Sequence, residues 1–149
     1  MTFRQTRVVE FQHCDPAGIV FYPRYFEMIS SVIERFFTDE LGHGFHAMHV
    51  ARRIGVPTAR IAVDFHAPSR LEDRLDFALA ITRIGTSSAD YRLACTGTEP
   101  RFTATGTLVH FDFNTGRSVP WTGDLRAGLA RHLEREPAGQ PCAQDQQAG

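Results

Sequence analysis

Residues 13–26 read HCDPAGIVFYPRYF and hold the side chains best suited to chemistry. Asp15 opens an Asp-Pro-Ala-Gly turn, and Pro23 follows at the head of a long amphipathic stretch. Pro16 and Gly18 so close together break regular structure and fold the chain back. Pro23 suits the first position of a helix, where its missing N–H would have gone unpaired. A helix start carries unpaired N–H groups and a partial charge of roughly +0.5, so it can hold an oxyanion. Pro23 cannot donate, which leaves the task to neighbours such as the Tyr22 backbone N–H.

An acid facing such donors fits the hydrolysis of a thioester. The carbonyl oxygen gains negative charge in the transition state, and each well-placed donor is worth roughly 3 kcal/mol there. Asp15 then attacks the carbonyl carbon or draws a proton from water. A thiolate leaves readily, so neither a strong general acid nor a metal is demanded. Only the backbone of Tyr22 enters this scheme. The Tyr22 and Tyr25 rings read as aromatic packing at the helix entry.

Other residues compete for attention. His13 is placed to tune the acid or touch substrate, although a histidine at a strand end also simply faces water. Cys14 has no evident base and reads as a buried, inert thiol. His43, His46 and His49 recur every three residues, a spacing that invites a metal. No Cys, Asp or Glu joins them at ligand spacing, so they read as solvent-facing or pocket-lining and no metal is expected. His66 and His110 fall in strand patterns and read as satisfied sheet residues. Arg52, Arg53, Arg60, Arg70, Arg74 and Arg101 are candidates for a phosphate clamp, since a guanidinium binds phosphate in two-pronged fashion. Taken singly, each reads as a surface charge.

The elements that must position these groups follow from periodicity. Residues 3–11 carry Val and Phe at strand spacing. From residue 23 to residue 41, Phe26, Ile29, Ile33, Phe36, Phe37 and Leu41 recur at helical spacing, with Gly42 at the end. Such a helix is about 28 Å long, and its wide apolar stripe asks for a sheet around it. Residues 43–55 are ambiguous and have room for a short helix. Period-two runs then follow at residues 59–66, 75–81 and 89–95, and residues 101–113 form a fourth long strand. Asp124 is expected to cap a last helix bearing Leu125, Leu129 and Leu133 on one face. One helix against a mostly antiparallel sheet is an α+β layer pattern. Residues 1–136 are expected to form one domain. Residues 137–149 hold little to bury and are expected to be disordered.

The chain has 149 residues, enough for one domain with a true core. Sixteen basic and seventeen acidic side chains leave a net charge of -1, which argues against a general nucleic-acid or anionic-membrane binder. Three cysteines cannot all pair and contain no C-x-x-C, so reduced thiols in the cytoplasm are expected. The N-terminal residues contain no apolar signal region, and no apolar run approaches a membrane span.

The run from Asp15 to Tyr25, DPAGIVFYPRY, closely resembles the active-site signature of the 4-hydroxybenzoyl-CoA thioesterase family. The resemblance implies the hot-dog fold, a sheet curled around a long central helix. It implies acyl-CoA hydrolysis without a cofactor, with an aromatic or short-chain acyl group. Asp15 falls on the family's catalytic aspartate, and Tyr22 on the residue whose backbone N–H binds the thioester oxygen. Gly18 falls on the motif glycine. Residues 85–88 resemble the family's turn near the coenzyme A arm, which marks Thr86, Ser87 and Ser88 as substrate-binding, with His13 beside Asp15. The family often carries lysine at that turn; this chain does not. Family members form dimers or tetramers with sites at the subunit interface. Two rival activities share the fold: an enoyl-thioester hydratase using an Asp–His pair with His13 or His66, and a non-catalytic acyl-CoA binder.

Overall fold

The computed structural model describes residues 1–135. At its centre helix α1 (Pro23–Arg35) lies against the sheet, burying Tyr25, Met28, Ile29, Val32 and Ile33. Those positions are three and four apart, the spacing of a single helical stripe. One wider turn, Phe36–Glu40, continues it, and the Leu41 N–H donates to the Phe36 carbonyl at 3.0 Å. The extra residue in that turn lets adjacent Phe36 and Phe37 both point inward, at 1% and 0% exposure. Gly42 then ends the helix at φ +72°, a conformation that favours glycine.

The strands are β1 (Phe3–Val8), β2 (Ile54–Gly55), β3 (Thr58–Phe65), β4 (Arg74–Ile84), β5 (Ser88–Thr96), β6 (Pro100–Val109), β7 (Phe111–Asp112) and β8 (Arg117–Ser118). The main sheet runs β1-β4-β5-β6-β3, with each neighbouring pair antiparallel. Leu75, Phe77, Leu79 and Ile81 of β4 face α1 together with Tyr91, Leu93 and Cys95 of β5 and Phe102, Ala104 and Leu108 of β6. Alternation of this kind follows from the two-residue period of a strand. Each large apolar side chain buried there contributes about 1.5–3 kcal/mol. Burial also pushes the Cys95 thiol up to about 12, so it is an inert part of this core. β3 forms one edge of the sheet and is mostly exposed, only Ile61 and Val63 being half-buried.

Several expectations change. The first strand stops at Val8, because the Glu10 N–H donates to His13 Nδ1 at 2.8 Å and draws the chain into a tight turn, Phe11–His13. The expected strand 101–113 breaks at His110. That ring is buried, contacts the Val119 and Pro120 carbonyls, and stacks on Trp121 at 4.7 Å. Beyond it the chain joins a small second sheet, β2-β7-β8. The ambiguous region contains one wide turn, His46–Ala51. The last helix, α2 (Gly123–Arg131), has Thr122 at its N-cap position; Asp124 lies in the first turn and pairs with His43 at 3.0 Å. Leu125 and Leu129 are buried, but Leu133 lies past the helix end and is exposed. The expected tail at residues 137–149 lies outside the described residues. Among the described residues, no helix is long and apolar enough to cross a membrane.

The register assigns loops to ends of the sheet. Val8 pairs with Arg74, and Phe65 with Phe102, so residues 9–20 and 66–73 share one end. Ile84 pairs with Ala89, so residues 85–88 lie at the other.

Candidate active site

Residues 14–20 fold into a tight hairpin in which Cys14 and Val20 pair. The Asp15 N–H donates to the Ile19 carbonyl at 3.0 Å, and the Gly18 N–H donates to the Asp15 carbonyl at 2.9 Å. Gly18 sits at φ +79°, which a side chain would strain. Asp15 Oδ1 accepts the Ala17 N–H at 2.9 Å, a local bond typical of turn aspartates. Oδ2 has no protein partner among the described residues. The half-exposed carboxylate is therefore held by one oxygen and free at the other.

The helix start is equally specific. Tyr22 is the N-cap of α1, at φ −52° and ψ −34°. The Arg24 N–H donates to the Phe21 carbonyl at 2.8 Å, and the Tyr25 N–H to the Tyr22 carbonyl at 3.1 Å. Pro23 has no N–H. Among the described residues no acceptor takes the Tyr22 N–H, so it is the main-chain donor left open at this end. Sequence had suggested several such donors; early closure of the first turn leaves one.

A neighbouring loop fixes both pieces. The buried Ser69 accepts the Val20 N–H on its carbonyl at 2.8 Å and the Tyr25 hydroxyl on its Oγ at 2.9 Å. Burial pushes the Tyr25 phenol above its ordinary value, outweighing the Ser69 bond, which keeps it a neutral donor. Arg101 braces this loop from below. Its side chain is 7% exposed, donates to the Pro68 carbonyl, and pairs with Asp73 at 3.4 Å. That overturns the phosphate-clamp expectation for Arg101, whose guanidinium is already committed inside the protein.

Cys14, Asp15, Pro16, Ala17, Phe21 and Arg24 line an open cleft of about 570 Å³. Arg24 and Phe21 had not been singled out as site residues. Their three-residue spacing at the helix entry was the available signal. Arg24 pairs with Glu27 at 2.8 Å on the surface, a weak tie that leaves it able to turn toward an anion. Cys14 is half-buried rather than buried, with Sγ 3.8 Å from the Glu10 carbonyl oxygen. The Tyr22 ring faces a separate cleft beside Tyr25 and Phe65 and is 60% exposed, so its packing is only partial.

The remaining candidates lie apart. His13 has no bond to Asp15; Nδ1 accepts the Glu10 N–H, and its carbonyl accepts the Phe21 N–H at 2.9 Å. Thr86, Ser87 and Ser88 lie beyond the far end of β4, whose 11 residues span roughly 35 Å. Their carbonyls accept the Trp121 N–H, the His110 N–H and the Trp121 indole N–H, respectively. One chain alone does not bring them to Asp15. Arg52, Arg53, Arg60, Arg70 and Arg74 are exposed, and of these Arg70 and Arg74 lie at the Asp15 end. His49 Nδ1 faces the Phe45 carbonyl, and His66 Nε2 lies 3.2 Å from Thr103 Oγ1. Among the described residues no group of three or more His, Cys, Asp or Glu could hold a metal ion.

The family model of the thioesterase-like superfamily matches residues 9–129. The chain belongs to that superfamily. The match spans the Asp15 hairpin, α1 and the whole main sheet beyond β1, and it classes the chain among thioester hydrolases. No curated protein matched. Solved structures share the hot-dog fold. A 1,4-dihydroxy-2-naphthoyl-CoA thioesterase from Synechocystis is 19% identical, with a TM-score of 0.80 over 87% of this chain and 96% of its own. The 4-hydroxybenzoyl-CoA thioesterase of a Pseudomonas strain is 23% identical, with a TM-score of 0.77 over 85% of this chain and 98% of its own. A Staphylococcus aureus protein in complex with CoA is 16% identical, with a TM-score of 0.84 over 94% of this chain and 89% of its own.

Proposed function

We propose that this thioesterase-superfamily protein hydrolyses an acyl-CoA to free acid and CoA in the cytoplasm, with Asp15 as nucleophile or general base. One observation carries the proposal. The unbonded Asp15 oxygen and the open Tyr22 N–H belong to a single hairpin-and-helix unit, both pinned through Ser69. The thioester carbonyl oxygen accepts the Tyr22 N–H. Asp15 adds to the carbonyl carbon, or takes a proton from a water that does. The carbon–sulfur bond then breaks, and CoA leaves as thiolate and gains a proton; on the nucleophilic route a water then cleaves the acyl–Asp15 anhydride and restores the carboxylate, so that either route ends with the acyl group as a carboxylic acid. The helix start stabilises the oxyanion that forms between.

Coenzyme A contacts complete the site. Arg24 beside Asp15 is placed for a phosphate, and Gly18 keeps the hairpin tip bare. His13 borders the loop on the substrate side. Thr86, Ser87 and Ser88 reach the CoA arm from a second copy. Antiparallel pairing through the β3 edges sets the far end of one sheet against the Asp15 end of the other, so a homodimer or homotetramer is required. The acyl group is aromatic or short. Aryl substrates are favoured, since neighbours of this fold are described as thioesterases of hydroxybenzoyl-, dihydroxynaphthoyl- and gentisyl-CoA.

Thiol release measured across aromatic, short and medium acyl-CoAs tests this. Release from at least one aryl-CoA or short acyl-CoA is expected. Hydration of crotonyl-CoA without free thiol would instead favour the hydratase, and binding without reaction would favour a carrier.

A further inference from the structure

A second cavity, about 410 Å³, lies beside α1, bordered by Phe26, Ile29 and Ile33 on the helix, Phe45, Ile61 of β3 and Tyr91 of β5. That volume is typical of small-molecule sites. Tyr91 is 1% exposed, and its hydroxyl is sealed from water with no hydrogen-bond partner among the described residues. Register shows where the ring points. Tyr91 pairs with Gly106, and Gly106 pairs with Ile61, so all three share the inner face. A Cβ at Gly106 would lie 2.5 Å from Tyr91 Cζ and Oη. The ring therefore lies across Gly106 and reaches toward Ile61, a wall of the cavity. Ser30 and Thr58 sit at its exposed rim, and His49 is engaged with the Phe45 carbonyl. Tyr91 thus holds an unpaired hydroxyl just behind an otherwise apolar wall of the cavity, and buried polar groups seldom stay unpaired without a use.

We propose that this cavity takes the acyl group and that Tyr91 Oη pairs with a hydroxyl or carbonyl oxygen at the end of it remote from the thioester. Phe26, which borders the cavity, stands one helical turn beyond Tyr22, so an acyl group held at the Tyr22 N–H would reach the cavity by running along α1. This specificity rests on the hydrolytic proposal above. Burial pushes the Tyr91 phenol up to about 12, so it stays neutral and able to donate at ordinary pH.

Tyr91→Phe removes only the hydroxyl and tests the idea. Thiol release is compared for matched pairs, 4-hydroxybenzoyl-CoA with benzoyl-CoA and ω-hydroxyhexanoyl-CoA with hexanoyl-CoA. Wild type should favour the oxygenated member of a pair in kcat/KM by about tenfold or more, and Tyr91→Phe should erase that preference. Calorimetric binding of 4-hydroxybenzoate against benzoate asks the same question without turnover. A wild type indifferent to the remote oxygen in both measurements would overturn the proposal. So would an unchanged preference in folded Tyr91→Phe, the result for a hydroxyl that is merely stranded. If no thioester releases thiol but the acid preference exists and is lost in the variant, the hydrolytic proposal fails and the cavity assignment stands. Hydrolysis without any preference gives the reverse.

Discussion

In the proposed mechanism Tyr22 acts through its main chain, and two substitutions at that one position separate backbone from ring. Its φ of −52° is one proline can adopt. Tyr22→Pro deletes the N–H and should lower kcat by roughly a hundred- to a thousandfold. Tyr22→Ala removes the ring but keeps the N–H and should leave kcat nearly unchanged in the same thiol-release assay. Equal losses in both variants would assign the role to the ring. Gly18→Ala meets open space but is held at φ +79°, so strain alone should lower stability by about 1–2 kcal/mol in chemical denaturation. The turn at Asp15 and Gly18 and the helix start at Tyr22 were legible in the sequence because both are local. Ser69 and Arg101 were not. Their roles depend on bonds to Tyr25 and Pro68 across 44 and 33 residues of chain, which no motif encodes.

Among the elements, the three central strands are clipped on their outer face by Asp90. It accepts Arg83 Nε at 2.7 Å and the Thr107 hydroxyl at 2.7 Å, joining β4, β5 and β6. The Arg83 hydrogen bond, aided by Thr107, holds the Asp90 carboxyl below its ordinary value. A depressed acid contributes stability above its unfolded pKa and loses it as pH falls through the folded one. Asp90→Asn should therefore be less stable than wild type at neutral pH, with the gap closing below about pH 4. A gap that persists into strong acid would count against charge as the cause. On the inner face, Gly106→Ala should cost about 1–3 kcal/mol, because the new methyl collides with the immobile Tyr91 ring. The helix and the period-two runs could be read from sequence, since burial of one face imposes a pattern on the chain. The break at His110 could not. Alternation continues through Phe111 and Phe113, while the tie to residues 119–121 that diverts the strand comes from outside the pattern.

At the scale of the whole molecule, the exposed β3 edge, with Phe21, Tyr22 and Phe65 at 47–60% exposure nearby, leaves a surface suited to a second copy. Sedimentation should give a dimer or larger assembly. Inactive Asp15→Asn subunits mixed and refolded with subunits altered at Thr86, Ser87 and Ser88 should regain activity, because half of a mixed dimer's sites would be intact. Failure to complement would place both groups of residues in the same chain's site or remove the second from it. Composition and charge set the expectation of one balanced domain, whereas an assembly was suggested only by the family resemblance. The proposed mechanism turns on the union of one free carboxylate oxygen with one open main-chain donor. Asp15→Asn, assayed for thiol release beside calorimetric CoA binding, probes it most directly. Turnover should fall by about a hundredfold or more with CoA affinity and melting behaviour preserved. Turnover near that of wild type in a folded, CoA-binding Asp15→Asn protein would contradict it.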